Sequence, residues 1–277
     1  MNTQVRQPAL IPELTAFPSV TVKWVRHWNE HLFSFAVDRP ASFRFRSGEF
    51  VMIGLPGIDA EGNSAPKPIM RAYSIASPSW AEELEFLSIK VEGGPLTGRL
   101  QAIEPGDQLY MGKKPTGTLV CDALLGGSRL FLLSTGTGLA PFLSLARDPE
   151  VYERFGQVLL VHGVRRTSDL AFQEELCARL ADDPLVGEQA AAQFHYMPSV
   201  TREAFHTKGR ITELIADGRL FAGLEGAAAF DPENDRVMLC GSTAMIRETA
   251  QLLEAAGLDE GSNANPGRYV IERAFVD

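Results

Sequence analysis

Leu130-Phe131-Leu132-Leu133-Ser134-Thr135-Gly136-Thr137-Gly138-Leu139-Ala140-Pro141 is the stretch whose reading decides the fold. The apolar run reads as a strand, the glycines as a turn, and the following Phe142-Leu143-Ser144-Leu145 as the body of a helix. A glycine turn at the carboxyl end of a first parallel strand lets backbone approach a pyrophosphate, and the helix start behind it favours negative charge. The spacing is not Gly-x-Gly-x-x-Gly, so the turn counts by its position at the first strand–helix junction rather than by its motif.

Toward the carboxyl end the pattern continues. Gln157–His162, Gln193–Met197, Arg236–Cys240 and Arg268–Ala274 read as strands, while Asp169–Ala181, Ile211–Asp217 and Thr243–Ala256 carry apolar residues at helical spacing. The expectation for residues 123–277 is an α/β domain with a parallel five-stranded sheet and helices on both faces. Two more strand ends should edge the same crevice. Val161-His162-Gly163-Val164-Arg165-Arg166 follows the second strand and Ser199-Val200-Thr201-Arg202 the third, with Lys208 and Arg210 shortly after. Cations converging there suggest a phosphate beyond the pyrophosphate, the feature that separates NADP from NAD; pairing with surface carboxylates is the equal alternative. Cys240-Gly241-Ser242 closes the fourth strand. Its cysteine is either a buried small hydrophobe or a sulfur beside a nicotinamide.

Toward the amino end the texture is different. Residues 1–16 hold prolines and no clear period, and are expected to form an extended arm. Across 17–122, Ser19–Trp28, Leu32–Val37, Glu49–Leu55, Arg71–Ala76, Leu84–Val91 and Gln108–Lys113 are short runs punctuated by turn residues. Six such strands suggest an antiparallel six-stranded β-barrel, whose closure removes exposed sheet edges. Two segments in it carry chemistry. In Arg71-Ala72-Tyr73-Ser74-Ile75-Ala76-Ser77, strand alternation sets a phosphate-binding fork beside an aromatic ring. In Lys90-Val91-Glu92-Gly93-Gly94-Pro95-Leu96-Thr97-Gly98-Arg99-Leu100, a strand runs into glycines and Thr97 is placed to cap a short helix through Ile103, a second phosphate site or merely a capped connection.

The totals bound the function. At 277 residues and 45% apolar content the chain can fill two moderate cores. No apolar run is long enough to cross a bilayer and no leader precedes the arm, so a cytoplasmic protein without membrane attachment is expected. Cys121, Cys177 and Cys240 lie far apart, which excludes a disulfide framework and a plant-type iron–sulfur module. Net charge is −9; residues 1–122 hold twelve Lys and Arg against thirteen Asp and Glu, and 123–277 hold fourteen against twenty-two. Such a chain is a poor nucleic-acid binder. His27, His31, His162, His195 and His206 have no metal-ligand spacing, no metal is expected, and no nucleophile–base pair stands out. That suits a redox cofactor bringing its own reactivity.

Taken together, Arg71-x-Tyr73-Ser74-x-x-Ser77, Gly136-Thr137-Gly138-x-Ala140-Pro141, Cys240-Gly241-Ser242 and the ending Val270-Ile271-Glu272-Arg273-Ala274-Phe275-Val276-Asp277 resemble the bacterial form of the ferredoxin/flavodoxin–NADP+ reductase family. The resemblance implies an FAD-binding barrel, an NADP(H)-binding α/β domain with a tail near the flavin, and electron exchange between NADP(H) and an acidic one-electron partner, ferredoxin or flavodoxin. It further implies that Tyr73 lies on the flavin, that Arg71 holds its pyrophosphate and Ser74 bonds near N5, and that Ala72, Ile89, Lys90, Val91, Gly94, Leu96, Thr97 and Thr137 also meet FAD. Thr137, Gly138 and Gly241 would follow the NADP pyrophosphate; Arg165, Arg166, Thr201, Arg202 and Arg210 would reach the 2′-phosphate. Cys240, Glu272 and Ala274 would frame the nicotinamide, with Glu272 relaying protons and Phe275 packing on the FAD adenine. Ala274 departs from the tyrosine that ends plant members, and Leu96 from their cysteine. Arg44, Arg46, Lys67, Lys113 and Lys114 in the near-neutral barrel half form the expected docking face, on a monomer. The rivals are the same flavin module serving a cytochrome or ferric chelate, a form using NAD, and a nucleotide-binding regulator without turnover.

Overall fold

The computed structural model describes residues 6–59 and 64–272, which form two compact units. The first comprises the described residues up to Phe45 together with Phe50–Thr116; the second comprises Arg46–Glu49 and the described residues from Gly117 on.

In the first unit, β1 (Ser19–His27), β2 (Leu32–Asp38), β3 (Phe50–Ile58), β4 (Ser64–Ser74), β5 (Glu83–Ile89) and β6 (Gln108–Met111) pair antiparallel in the order β4-β3-β6-β1-β2-β5. The ends of that order meet where Ile75 bridges Phe86 and the Ala76 N–H donates to the Glu85 carbonyl at 2.8 Å. The expected antiparallel six-stranded barrel is therefore what the chain builds. Alternate residues fill it: Val20 and Val22, Phe33, Phe35 and Val37, Val51 and Ile53, Leu84 and Phe86, and Leu109 and Met111 form one buried cluster. Phe35 sits directly across from Phe86, with ring centroids 5.3 Å apart.

Two elements differ from the sequence reading. β4 starts at Ser64 rather than near Arg71; its Pro66 and Pro68 discourage a strand assignment, yet a strand at the end of the pairing order tolerates them. The arm is tied down along β6. The Arg6 guanidinium and the Ala9 N–H both donate to the buried Asp107 carboxylate, the Ile11 N–H donates to Gln108 Oε1, and the Tyr110 hydroxyl donates to the Pro12 carbonyl.

In the second unit, β7 (Arg129–Thr135), β8 (Gln157–Val164), β9 (Phe194–Val200), β10 (Asp235–Cys240) and β11 (Tyr269–Ile271) form a parallel sheet in the order β11-β10-β7-β8-β9. Phe131, Leu133, Leu159, Val161, Val237 and Leu239 point to one face, under α5 (Ile211–Ala216) and α6 (Thr243–Ala255). Their neighbours Leu130, Leu132, Val158, Leu160 and Met238 are buried on the other face, where α2 (Ala140–Leu145), α3 (Pro149–Arg154) and α4 (Gly187–Gln193) run. Burial on both sides explains the continuous apolar strands.

The helix expected over Asp169–Ala181 does not form as one. The segment holds 3₁₀ turns at Thr167–Asp169 and Leu180–Asp182 and a π turn at Glu175–Arg179. Buried Phe172 is left-handed (φ 62°), and one such residue breaks the i to i+4 ladder that the apolar spacing predicted. Conversely, α3 was missed although Asp148 caps it, accepting from the Glu150 N–H, and Pro149 opens it. Among the described residues the last strand spans Tyr269–Ile271, and the expected continuation through Ala274 lies in part outside them.

At the opposite end of the sheet from the glycine turn, Arg129 and Asp235 make a two-pronged ion pair of 2.6 and 2.8 Å, while the same guanidinium holds the carbonyls of Glu225, Ala227 and Ala229. Both side chains are almost wholly buried. Asp235→Ala strands that charge and is expected to lower unfolding free energy by roughly 3–5 kcal/mol in a denaturant titration.

Candidate functional site

On the first unit the site residues gather at the barrel's closing seam and at the end of β5. Arg71 and Ala72 are on β4 opposite Ile53 and Met52 of β3. Arg71 is exposed, and among the described residues its guanidinium donates to the Met70 carbonyl alone, through one nitrogen of the fork. Tyr73 faces the interior: 7% exposed, it meets Phe35 and Phe86 edge-on, its hydroxyl lies 3.2 Å from Ser88 Oγ, and burial pushes its phenol up. Ser74 is buried, and its Oγ has no hydrogen-bond partner among the described residues. An orphaned buried hydroxyl costs about 1–3 kcal/mol unless something satisfies it.

Past β5, Ile89 and Val91 are 46% and 41% exposed, large apolar side chains left in the open. Between them, Lys90 donates its backbone N–H to the His31 carbonyl and its Nζ to the Asn29 carbonyl. The glycine turn then leads to α1 (Thr97–Leu100), where the expected cap is corrected. Thr97 is the first helical residue rather than the cap; Leu96 occupies the cap and no side chain closes it. Leu96 also sends its side chain into the barrel core, so only its backbone is available to a ligand. Gly94 is pressed against Thr97 Oγ1, and a Cβ there would collide with it.

On the second unit the strand order is that of an open sheet whose direction of winding reverses at β7 and β10, and such sheets bind ligands outside the carboxyl ends of those strands. Ser134 lies beside Cys240 in the register, Thr135 Oγ1 accepts the Ser242 N–H at 2.9 Å, and the 3₁₀ turn Gly136–Leu139 continues into α2. Gly138 is pressed against the Cys240 carbonyl, where any Cβ would clash, and Gly241 has a φ of 150° with Thr135 Oγ1 where its Cβ would be. The two turns thus meet at the backbone of Gly138 and Gly241, joined by the Thr135 hydroxyl, with Thr137 half-buried beside them.

The cations converge in part. The Arg202 N–H donates to the Arg165 carbonyl and the Thr201 N–H to the Val164 carbonyl, extending β8 and β9 side by side. Thr201, Lys208, Gly209, Arg210 and Glu213 line an open cavity of about 390 Å³. Among the described residues, Arg165, Arg202, Lys208 and Arg210 take no carboxylate partner within ion-pair distance. Arg166 differs, lying close enough to Glu203 to help hold that carboxyl below its usual range, after the larger effect of Thr167.

Cys240 is fully buried, and burial, then the nearby Glu272 carboxylate, push its thiol far above the usual range. It is a neutral packing group, not a nucleophile. Glu272 follows β11; its N–H donates to the Leu239 carbonyl and its Oε2 accepts the Thr118 N–H at 3.4 Å, while the Thr118 hydroxyl donates to the Ile271 carbonyl. Ala274 and Phe275 lie outside the described residues.

Sequence reasoning passed over His162 and Tyr196. His162 lies near the carboxyl end of β8 and is 1% exposed, with Nε2 3.2 Å from the Gly136 carbonyl and Nδ1 3.3 Å from the Tyr196 hydroxyl. A buried histidine at a strand end next to a glycine turn was the available signal.

An antiparallel barrel carrying an arginine–tyrosine–serine strand, together with a parallel sheet carrying a glycine turn at its switch point, defines the class of two-domain dinucleotide-dependent oxidoreductases. The family model described as an oxidoreductase NAD-binding domain matches residues 132–251. A flavodoxin/ferredoxin–NADP reductase of Rhodobacter capsulatus is 54% identical over 92% of each chain. A ferredoxin–NADP reductase of Azotobacter vinelandii is 50% identical over 91% of this chain and 95% of its own. A crystal structure of a ferredoxin NADP+ reductase from Neisseria gonorrhoeae with bound FAD and NADP superposes with a TM-score of 0.81, at 31% identity, covering 94% of this chain and 99% of that one. The chain belongs to the ferredoxin/flavodoxin–NADP reductase family.

Burial holds the His162 imidazole down to about 4 in the folded protein. The unfolded chain takes up that proton near 6.5, so it binds more protons than the folded state between those values and stability falls as pH drops through this window. Urea midpoints measured from pH 7 to pH 4 are expected to show a loss on the order of 3 kcal/mol from this group, absent in His162→Gln.

Proposed function

We propose that this protein is an FAD-dependent oxidoreductase that exchanges hydride with NADP(H) and passes single electrons to or from ferredoxin or flavodoxin. The observation that carries it is 54% identity, across 92% of both chains, to a protein named for that reaction. When bound, FAD accepts two electrons as hydride and releases them one at a time, which is why the chain needs no nucleophile of its own.

The residues of the barrel fit that cofactor. Ser74 Oγ, buried without a partner, supplies a hydrogen bond at the flavin N5 edge. Arg71 brings an exposed fork suited to two phosphate oxygens. Ala72 adds backbone beside that fork, and Tyr73 offers a fixed ring edge rather than a free plate. Ile89 and Val91 lose water when a flat ring system covers them, and Lys90 holds the backbone between them in place. The Gly94 N–H closes a turn onto the Val91 carbonyl, while the Leu96 and Thr97 N–H groups at the start of α1 take no backbone partner among the described residues and suit a phosphate.

On the parallel sheet, Thr137, Gly138 and Gly241 give NADP(H) a pyrophosphate seat with no side chain in the way. Arg165, Arg166, Thr201, Arg202 and Arg210 surround the 2′-phosphate, joined by Lys208; charges left unpaired in an acidic half are committed when that anion arrives. Cys240 presents an uncharged surface to the nicotinamide, and Glu272, held at Oε2 by Thr118, exchanges the proton that accompanies reduction. Arg46 leaves the expected docking face, because its guanidinium is spent on Glu49 and Asp122 within the second unit. Arg44, Lys67, Lys113 and Lys114 remain for an acidic partner. The reading places the protein in the cytoplasm as a monomer, in keeping with three free thiols.

Anaerobic addition of NADPH to the purified protein is expected to bleach the flavin absorbance, and an unchanged spectrum overturns the reading. Arg202→Ala should raise KM for NADPH by roughly tenfold or more with little change for NADH; equal losses count against the 2′-phosphate assignment. Ferredoxin binding should weaken with rising salt, and the Lys113→Ala/Lys114→Ala double variant should flatten that dependence.

A further inference from the structure

We propose that His162 is a positioning residue for the dinucleotide turn: braced by Tyr196, it grips the Gly136 carbonyl and thereby aims the Thr137 N–H at the pyrophosphate. The inference rests on the function proposed above and names a residue that the chemistry of that function does not itself require.

The geometry begins with the peptide bond between Gly136 and Thr137. In a planar trans peptide the carbonyl and the following N–H point in opposite directions. Fixing one therefore fixes the other. His162 Nε2 lies 3.2 Å from the Gly136 carbonyl oxygen, from the side of the sheet end. Thr137 is the second residue of the 3₁₀ turn, so its N–H has no partner within that turn and is directed away from the imidazole.

Only one tautomer satisfies both contacts. A carbonyl oxygen can only accept, so the proton must sit on Nε2; Nδ1 is then a lone pair, which accepts from the Tyr196 hydroxyl at 3.3 Å. The opposite tautomer would set two lone pairs against each other. Burial keeps the ring neutral, since a charged imidazole would be stripped of water with no anion beside it. The chain from Tyr196 on β9 through His162 on β8 to the turn after β7 thus crosses three adjacent strands. It reaches an exposed glycine at the head of the 3₁₀ turn, where the imidazole adds a side-chain contact to the turn's own backbone hydrogen bonding. A peptide flip at Gly136 would turn a carbonyl oxygen toward the phosphates, and this contact opposes it.

The pyrophosphate is common to NADPH and NADH, whereas the 2′-phosphate is not, and this separates the two parts of the site. In the purified holoenzyme, His162→Leu should raise KM for both nucleotides by roughly tenfold, as expected for an unmade buried hydrogen bond, with kcat at saturation within about twofold. His162→Gln retains an N–H donor near Nε2 and should recover most of the loss, and Tyr196→Phe should fall between. An unchanged KM in His162→Leu, a rise confined to NADPH, or a His162→Gln variant no better than His162→Leu overturns the proposal. If His162→Leu does not fold, Tyr196→Phe decides: an unaltered KM for both nucleotides overturns it. A wild-type protein that fails to oxidise NADPH would remove the proposed function and this inference together, whereas normal wild-type turnover with indifferent variants removes the inference alone.

Discussion

The carbonyl of Cys240 lies where a side chain at position 138 would have to be, and the second unit is organised around that approach. β7 and β10 are parallel neighbours, yet the chain leaves them on different routes: α2 and α3 follow β7 on one face of the sheet, and α6 follows β10 on the other. Connections that part in this way open a crevice at the strand ends. Because glycines line it, backbone donors reach a ligand that side chains would keep out. The Thr135 hydroxyl, accepting from Ser242, holds the two turns in register.

Other features of the two units become intelligible as groups waiting for partners. A folded chain normally satisfies buried polar atoms and pairs its surface charges, and it departs from those habits where function demands it. Among the described residues, Ser74 Oγ is buried without a partner, Ile89 and Val91 expose apolar surface, and Arg165, Arg202, Lys208 and Arg210 meet no carboxylate at ion-pair distance. By contrast, charges that merely hold the scaffold are fully engaged. Arg129 satisfies Asp235 and three carbonyls, and Asp107 gathers donors from Arg6, Ala9 and Glu104.

The titratable groups divide along the same line. Burial keeps the Cys240 thiol protonated and the His162 ring neutral, so neither carries charge at neutral pH. Both are buried at the carboxyl-end side of the parallel sheet, one in β10 and the other in β8. Glu272 is tethered at Oε2 by the Thr118 N–H, and the Thr118 hydroxyl donates to the neighbouring Ile271 carbonyl.

Much was legible in the sequence because its causes are local. Period-two alternation marked the barrel strands, unbroken apolar runs marked a sheet covered on both faces, and glycines after β7 and β10 marked the turns. The order of motifs carried the family. What escaped depended on contacts distant in the chain. Apolar spacing over Asp169–Ala181 promised a helix, but left-handed Phe172 breaks it; the Leu96 side chain is drawn into the barrel core; Arg46 is paired with Glu49 and Asp122. The role of His162 was invisible for the same reason. A histidine has no function in a one-dimensional pattern, and only the register of three adjacent parallel strands brings Tyr196, His162 and Gly136 into line. Sequence by itself determined which elements form and which chemistry they can carry; the tertiary structure decided which polar groups are spent on the fold and which are left for a ligand, because that depends on neighbours tens to hundreds of residues away.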